Sequence, residues 1–196
     1  MQDSANTTRS APPPDRATRA DGLLYPLDLV YERAGIAAPE VTAVSPEGIP
    51  QPYRSLLVHR DDMTPTLERH YGGRVVLRPL SVFTSGNSYF RRVLLVGEQA
   101  GQPVEMGAIR MELDAFDAPI RRRILANEIP FGRVVRDGRF DCRSEPTAFL
   151  AVKPNPEMMG VFWMREPSTL YGRRTRILRH GAVIGDMVEI LPLVMR

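Results

Sequence analysis

From residue 74 onward the chain alternates short runs rich in Val, Ile, Leu, Phe and Tyr with clusters of Gly, Asn, Asp and Pro. Apolar runs of this length, bounded by turn residues, read as β-strands. The pattern predicts strands near residues 74–83, 88–97, 103–114, 132–141, 147–153, 160–165, 170–179 and 182–191. "GEQAGQPV" and "RHGAV" each leave room only for a short turn between two strands, so those neighbours are expected to pair as antiparallel hairpins. Between the third and fourth runs, "DAPIRRRILANEIPFG" changes to a helical period and predicts one amphipathic helix from near Asp117 to before Pro130. Upstream, a short helix is expected over residues 25–35, stopped by Gly35, followed by a Pro-rich connector to Ser55. In "LLVHRDDMTPTLERHYGG", Thr64 is a good N-cap, Pro65 suits the first helical position, and Gly72-Gly73 ends the helix. The sum is an α+β domain: one mainly antiparallel sheet with a few helices packed on it, and no internal repeat.

Composition narrows this picture. A chain of 196 residues with 43% hydrophobic positions can bury one sizeable core. We therefore expect a single domain over residues 23–196, preceded by a disordered tail over residues 1–22, "MQDSANTTRSAPPPDRATRADG". Net charge is 26 − 23 = +3, and the basic residues are nearly all arginines, Lys153 being the sole lysine. Those arginines are scattered among carboxylates, which argues against nucleic acid and leaves an anionic small molecule as the natural partner. Cys142 is the only cysteine, so no intrachain disulfide forms. No run approaches the roughly 18 apolar residues of a membrane span, and the N-terminus lacks the apolar core of a secretory signal. The expected location is cytoplasmic, away from membranes.

Candidate chemistry sits where an ionisable residue interrupts an apolar strand. In "SYFRRVLLV", Tyr89, Arg91, Val93 and Leu95 fall on one face and Phe90, Arg92, Leu94 and Val96 on the other. Both faces are apolar apart from the arginines, so the pattern does not choose between Arg91 and Arg92 as a buried anchor for an acidic ligand. In "AVIGDMVEILP", Glu189 shares a face with Val183, Gly185, Met187 and Leu191, with Asp186 on the opposite face. A carboxylate there needs a partner or a proton: it pairs with an arginine, reaches solvent at the strand end, or serves as a proton donor or acceptor. The amide of Met63, at a helix start, and that of Phe131, directly after Pro130, are free to receive an anion. Gly107 marks a bulge or a close approach by a ligand. His59, His70 and His180 lack metal-ligand spacing, and there is no phosphate loop, dinucleotide fingerprint or nucleophile elbow.

In order along the chain, "LLVHRDDMTPTLE", "YFRRVLLV", "GQPVEMGAIRMELDAF", "IPFGRVV", "LYGRRTRI" and "VEILP" resemble the chorismate lyase (chorismate pyruvate-lyase) family over about residues 55–192. The resemblance implies a six-stranded antiparallel sheet with flaps over a buried ligand cavity. It also implies a cofactor-independent lyase that eliminates pyruvate from chorismate to leave 4-hydroxybenzoate or a close hydroxybenzoate isomer. It assigns Arg92 to the ligand carboxylate, with the amides of Met63 and Phe131 beside it. Glu189 then meets the ring hydroxyl, as general acid or as an orienting group, and Gly107 takes the family's glycine in the third strand. The alternative is a non-catalytic aromatic-acid-binding domain, like the effector domains of transcriptional regulators. Such regulators carry a helix-turn-helix upstream, and the short, proline-rich first segment here favours the enzyme.

Overall fold

The computed structural model describes residues 22–192. The tail expected over residues 1–22 lies outside them, apart from Gly22. The elements in chain order are α1 (Leu27–Ala34), β1 (Glu40–Val44), α2 (Tyr53–Leu57), α3 (Met63–Tyr71), β2 (Val75–Ser85), β3 (Ser88–Gly97) and β4 (Pro103–Glu112). They continue with α4 (Ala118–Ala126), α5 (Phe131–Asp137), β5 (Arg143–Lys153), α6 (Pro156–Val161), β6 (Leu170–Arg179) and β7 (Ala182–Leu191).

The strands form one open sheet of seven in the order β1-β5-β6-β7-β4-β3-β2, and each neighbouring pair runs antiparallel. This is the α+β architecture that the alternating runs predict, with seven strands where the family resemblance implied six. Both expected hairpins are present, β3–β4 and β6–β7.

Both faces of the sheet are covered, which explains why "SYFRRVLLV" carries no solvent side. On one face Leu94, Val96, Met106, Val188 and Ile190 pack under Leu27 and Tyr31 of α1 and Met158 of α6. On the other, Leu77, Val93 and Leu95 meet Leu57 of α2 and Met63 and Leu67 of α3. Further along that second face, Tyr89, Ile109, Met111 and Ile177 meet Ile120 and Ile124 of α4 and Val134 of α5. Each fully buried Leu or Ile contributes on the order of 1.5–3 kcal/mol relative to leaving it in water, so the helices are held by packing.

Four local expectations are corrected. Residues 132–141 begin as α5 instead of a strand. Phe131, Val134 and Val135 are spaced for one helical face, and all three are buried. Residues 160–165 form the end of α6 and a turn, because Asn155 caps that helix by accepting from the Met158 amide and Pro156 opens it. The Pro-rich connector contains β1, which adds to the sheet edge beside β5. The α3 helix starts two residues earlier than expected, at Met63, with Asp62 instead of Thr64 in the cap position. It ends as expected at Gly72, whose φ of 69° is the left-handed conformation that glycine adopts without strain.

Candidate functional site

A cavity of about 50 Å³ lies between the second face of the sheet and the starts of α3 and α5. A buried water needs on the order of 10–15 Å³ of such space, so this cavity has room for several waters or one compact ligand. Leu77, Val93, Leu95, Ile109, Phe131 and Met187 form apolar walls, and Gly107 lies among them. Strand alternation delivers the polar groups. Arg91 on β3, Glu105 on β4 and Glu189 on β7 all point from the sheet into this space.

Register fixes their order. Arg91 stands opposite Ile109, Val93 opposite Gly107, and Leu95 opposite Glu105. On its other side Gly107 stands opposite Glu189. The Arg91 row and the Glu105 row are therefore separated by four residues of strand, about 13 Å between backbones before either side chain reaches inward. The cavity has a cationic end, a carboxylate end, and a glycine between them.

Arg91 is 2% exposed. Its Nη1 donates to Asn127 Oδ1 at 3.2 Å, and its Nε has no partner. Among the described residues no carboxylate pairs with it. Burial pulls its pKa down, with Tyr89 as the opposing influence, yet an arginine keeps its charge throughout the physiological range. Asn127 has two tasks. It ends α4 in the left-handed conformation at φ 58°, which asparagine tolerates better than most residues, and its side chain steadies Arg91.

The α3 and α5 starts face the same cavity through Met63, Thr64, Phe131 and Gly132. Neither start has a side-chain cap, so first-turn N–H groups are open at both. The two starts approach closely: a Cβ on Gly132 would lie 3.3 Å from Asp62 Cβ. Asp62 accepts from Ser144 Oγ at 3.4 Å, and burial raises its pKa.

In the Gly107 row, Glu189 Oε2 takes Arg173 Nε at 2.5 Å, with both side chains at most 2% exposed. Thr175 Oγ1 donates to the same oxygen at 3.4 Å. Arg173 also donates to the carbonyls of His59 at 3.0 Å and Asp61 at 3.3 Å, and so ties β6 to the loop that enters α3. Of the fates open to Glu189 from sequence, pairing with an arginine is the one the structure contains. Glu105, which the sequence reading did not single out, is 4% exposed, and its Oε2 has no partner. Burial pushes its pKa well above the ordinary carboxylate value, Glu189 adds to the rise, and Arg173 opposes it.

The structure thus gathers Met63, Gly107, Phe131 and Glu189 around one cavity and leaves Arg92 out. Arg92 points to the other face of the sheet. There Nη1 pairs with Glu157 Oε1 at 2.7 Å, Tyr31 donates its hydroxyl to Glu157 Oε2 at 2.9 Å, and the guanidinium lies 5.0 Å from the Tyr31 ring centre. The arginine in the cavity is Arg91. Asp186, flagged opposite Glu189, is on that other face as well, 3.5 Å from both Arg110 and Arg174.

The fold and the site define a class: an open antiparallel α+β domain with a buried, arginine-containing cavity between sheet and helices. Among solved structures, the chain is similar to the gene product SA0254 of Staphylococcus aureus, with a TM-score of 0.50 at 6% identity, covering 69% of this chain and 90% of that one. It is also similar to the ligand-binding domain of a candidate GntR-family transcriptional regulator from Bordetella bronchiseptica, with a TM-score of 0.47 at 11% identity, covering 61% and 86%. A third is the C-terminal domain of the histidine utilization repressor of Pseudomonas syringae, with a TM-score of 0.41 at 11% identity, covering 63% and 98%. No family model and no curated protein matches the sequence. Identities this low speak for the fold alone. The expectation of a chorismate-cleaving enzyme is corrected at this point: similar structures are described as regulator ligand-binding and repressor domains. Among the described residues, no helix is long and apolar enough to cross a membrane.

Proposed function

We propose that this domain binds a small aromatic carboxylate in the cavity and does not turn it over. One observation carries the reading: Arg91, 2% exposed and without a carboxylate partner among the described residues, lines a cavity of otherwise mostly apolar walls. A buried guanidinium is costly unless an anion meets it, and the empty part of its fork suits a planar carboxylate. Open N–H groups at the α3 and α5 starts add favourable dipoles on the same side. Gly107, between the two polar ends, brings no side chain of its own into the cavity. Binding of such an effector, as in the ligand-binding domains of regulators, is the reading that the alternative in the sequence analysis anticipated.

Benzoate and its ring-substituted relatives are suitable probes, followed by titration calorimetry and thermal unfolding. Benzoate at about 100 times its Kd should stabilise the native domain by about 2.7 kcal/mol. Arg91→Met should remove that stabilisation, whereas Arg92→Met should leave it. Incubation with chorismate should release no pyruvate above the spontaneous rate. Binding that survives Arg91→Met unchanged would overturn the assignment.

A further inference from the structure

Glu105 has no part in holding a carboxylate, yet it occupies the same cavity with one oxygen unpartnered. Its other oxygen lies over Gly107, 3.0 Å from where a Cβ on that glycine would stand. The charged groups around it are few. Glu189 approaches from β7, and its partner Arg173 from β6. Asp62 approaches from the α3 start, and Arg91 lies at the far end of the cavity on β3. Arg173 is already bonded to Glu189, so one cation serves two buried carboxyl groups.

Resting on the anion-binding reading above, we infer that Glu105 is a specificity-determining residue. It keeps its proton and offers it as a hydrogen-bond donor to the side of the bound ring opposite the ligand's carboxylate. The pocket then selects aromatic monoanions that carry an oxygen acceptor at that far side, and it disfavours a second negative charge there. The ligand carboxylate neutralises Arg91, Glu189 neutralises Arg173, and a neutral Glu105 adds no further negative charge to a cavity that Asp62 also lines. Burial of the Glu105 carboxyl favours its neutral form in the same direction. When rising pH removes the proton, a negative charge appears in a cavity built for an anion, and affinity falls.

The test compares benzoate with 4-hydroxybenzoate by titration calorimetry, on wild type, Glu105→Gln and Glu105→Leu, from about pH 5.5 to about pH 8.5. Wild type should prefer 4-hydroxybenzoate by about tenfold and lose affinity as pH rises, the value of one hydrogen bond to a buried group. Glu105→Gln keeps a donor without a proton to lose, so it should retain the preference and flatten the pH profile. Glu105→Leu should bind the two probes equally. A second measurement needs no ligand: the urea midpoint of wild type should fall with pH relative to that of Glu105→Gln. If Glu105→Leu keeps both the preference and the pH dependence, the inference is overturned. If neither probe binds, the anion-binding reading fails instead, while the urea arm still reports whether Glu105 carries a proton. Parallel urea profiles for wild type and Glu105→Gln would then overturn the inference as well.

Discussion

Replacing Arg173 with methionine removes the cation on which the carboxylate end of the cavity depends. Arg173 is fully buried, bonded to Glu189 at 2.5 Å and to the carbonyls of His59 and Asp61. Methionine fills much of the volume, so the loss is electrostatic more than steric. Breaking a buried pair by deleting one partner costs about 3–5 kcal/mol, because the surviving charge stays buried alone. Against a total stability of about 5–15 kcal/mol, such a variant keeps a folded state with little margin. Urea unfolding at an m-value of about 2 kcal/mol per molar should show the midpoint falling by about 2 M, with m unchanged. Adding Glu189→Gln should restore about half of the loss. If the two substitutions instead add to within about 0.5 kcal/mol, Arg173 and Glu189 are not one energetic unit.

On the opposite face, Arg92→Leu should cost about 1–3 kcal/mol in urea unfolding, since its partner Glu157 is 23% exposed and partly screened. Benzoate affinity should stay within about twofold of wild type, since Arg92 lies across the sheet from the cavity. Two glycine substitutions separate scaffold from cavity. A Cβ on Gly172 would stand 2.4 Å from the Glu189 carbonyl oxygen, so Gly172→Ala must part β6 from β7 and should cost about 3 kcal/mol by thermal unfolding. A Cβ on Gly107 would meet the movable Glu105 carboxyl at 3.0 Å and backbone no nearer than 3.9 Å. Gly107→Ala should therefore cost less than about 1 kcal/mol in stability while weakening benzoate by about tenfold in calorimetry.

The long strands and both hairpins were legible because their signals are local: period-two alternation over about ten residues and turn residues at fixed offsets. The short elements were not. α5 spans seven residues and α6 six, too few for a helical period to outweigh valines and aromatics that also suit strands. The five residues of β1 follow a proline and are at most half-buried at the sheet edge, so neither composition nor alternation marks them. In the site, Glu105 left the same trace as Glu189, a carboxylate inside an apolar strand, and "VEMGAIRM" carried it in plain view. Asn127 left a weaker trace, an asparagine just after a helical run.

The two arginines show where reading a sequence of this kind stops. Side chains alternate with a period of two, so a one-residue error in matching a motif to a strand moves the chosen group across the whole sheet. In a sheet with one wet face, alternation itself would expose the error, because one arginine would fall among polar neighbours. Here α1 and α6 cover one face and α2 to α5 the other, so Arg91 and Arg92 have equally apolar surroundings. What separates them is not burial, since both are buried. The difference is the partner supplied from a distant part of the chain. Glu157, 65 residues away, neutralises Arg92, whereas Asn127, 36 residues away, gives Arg91 a neutral contact and no charge. A buried cation with its charge left open is the group that an anion completes, and that distinction exists only once the helices are in place.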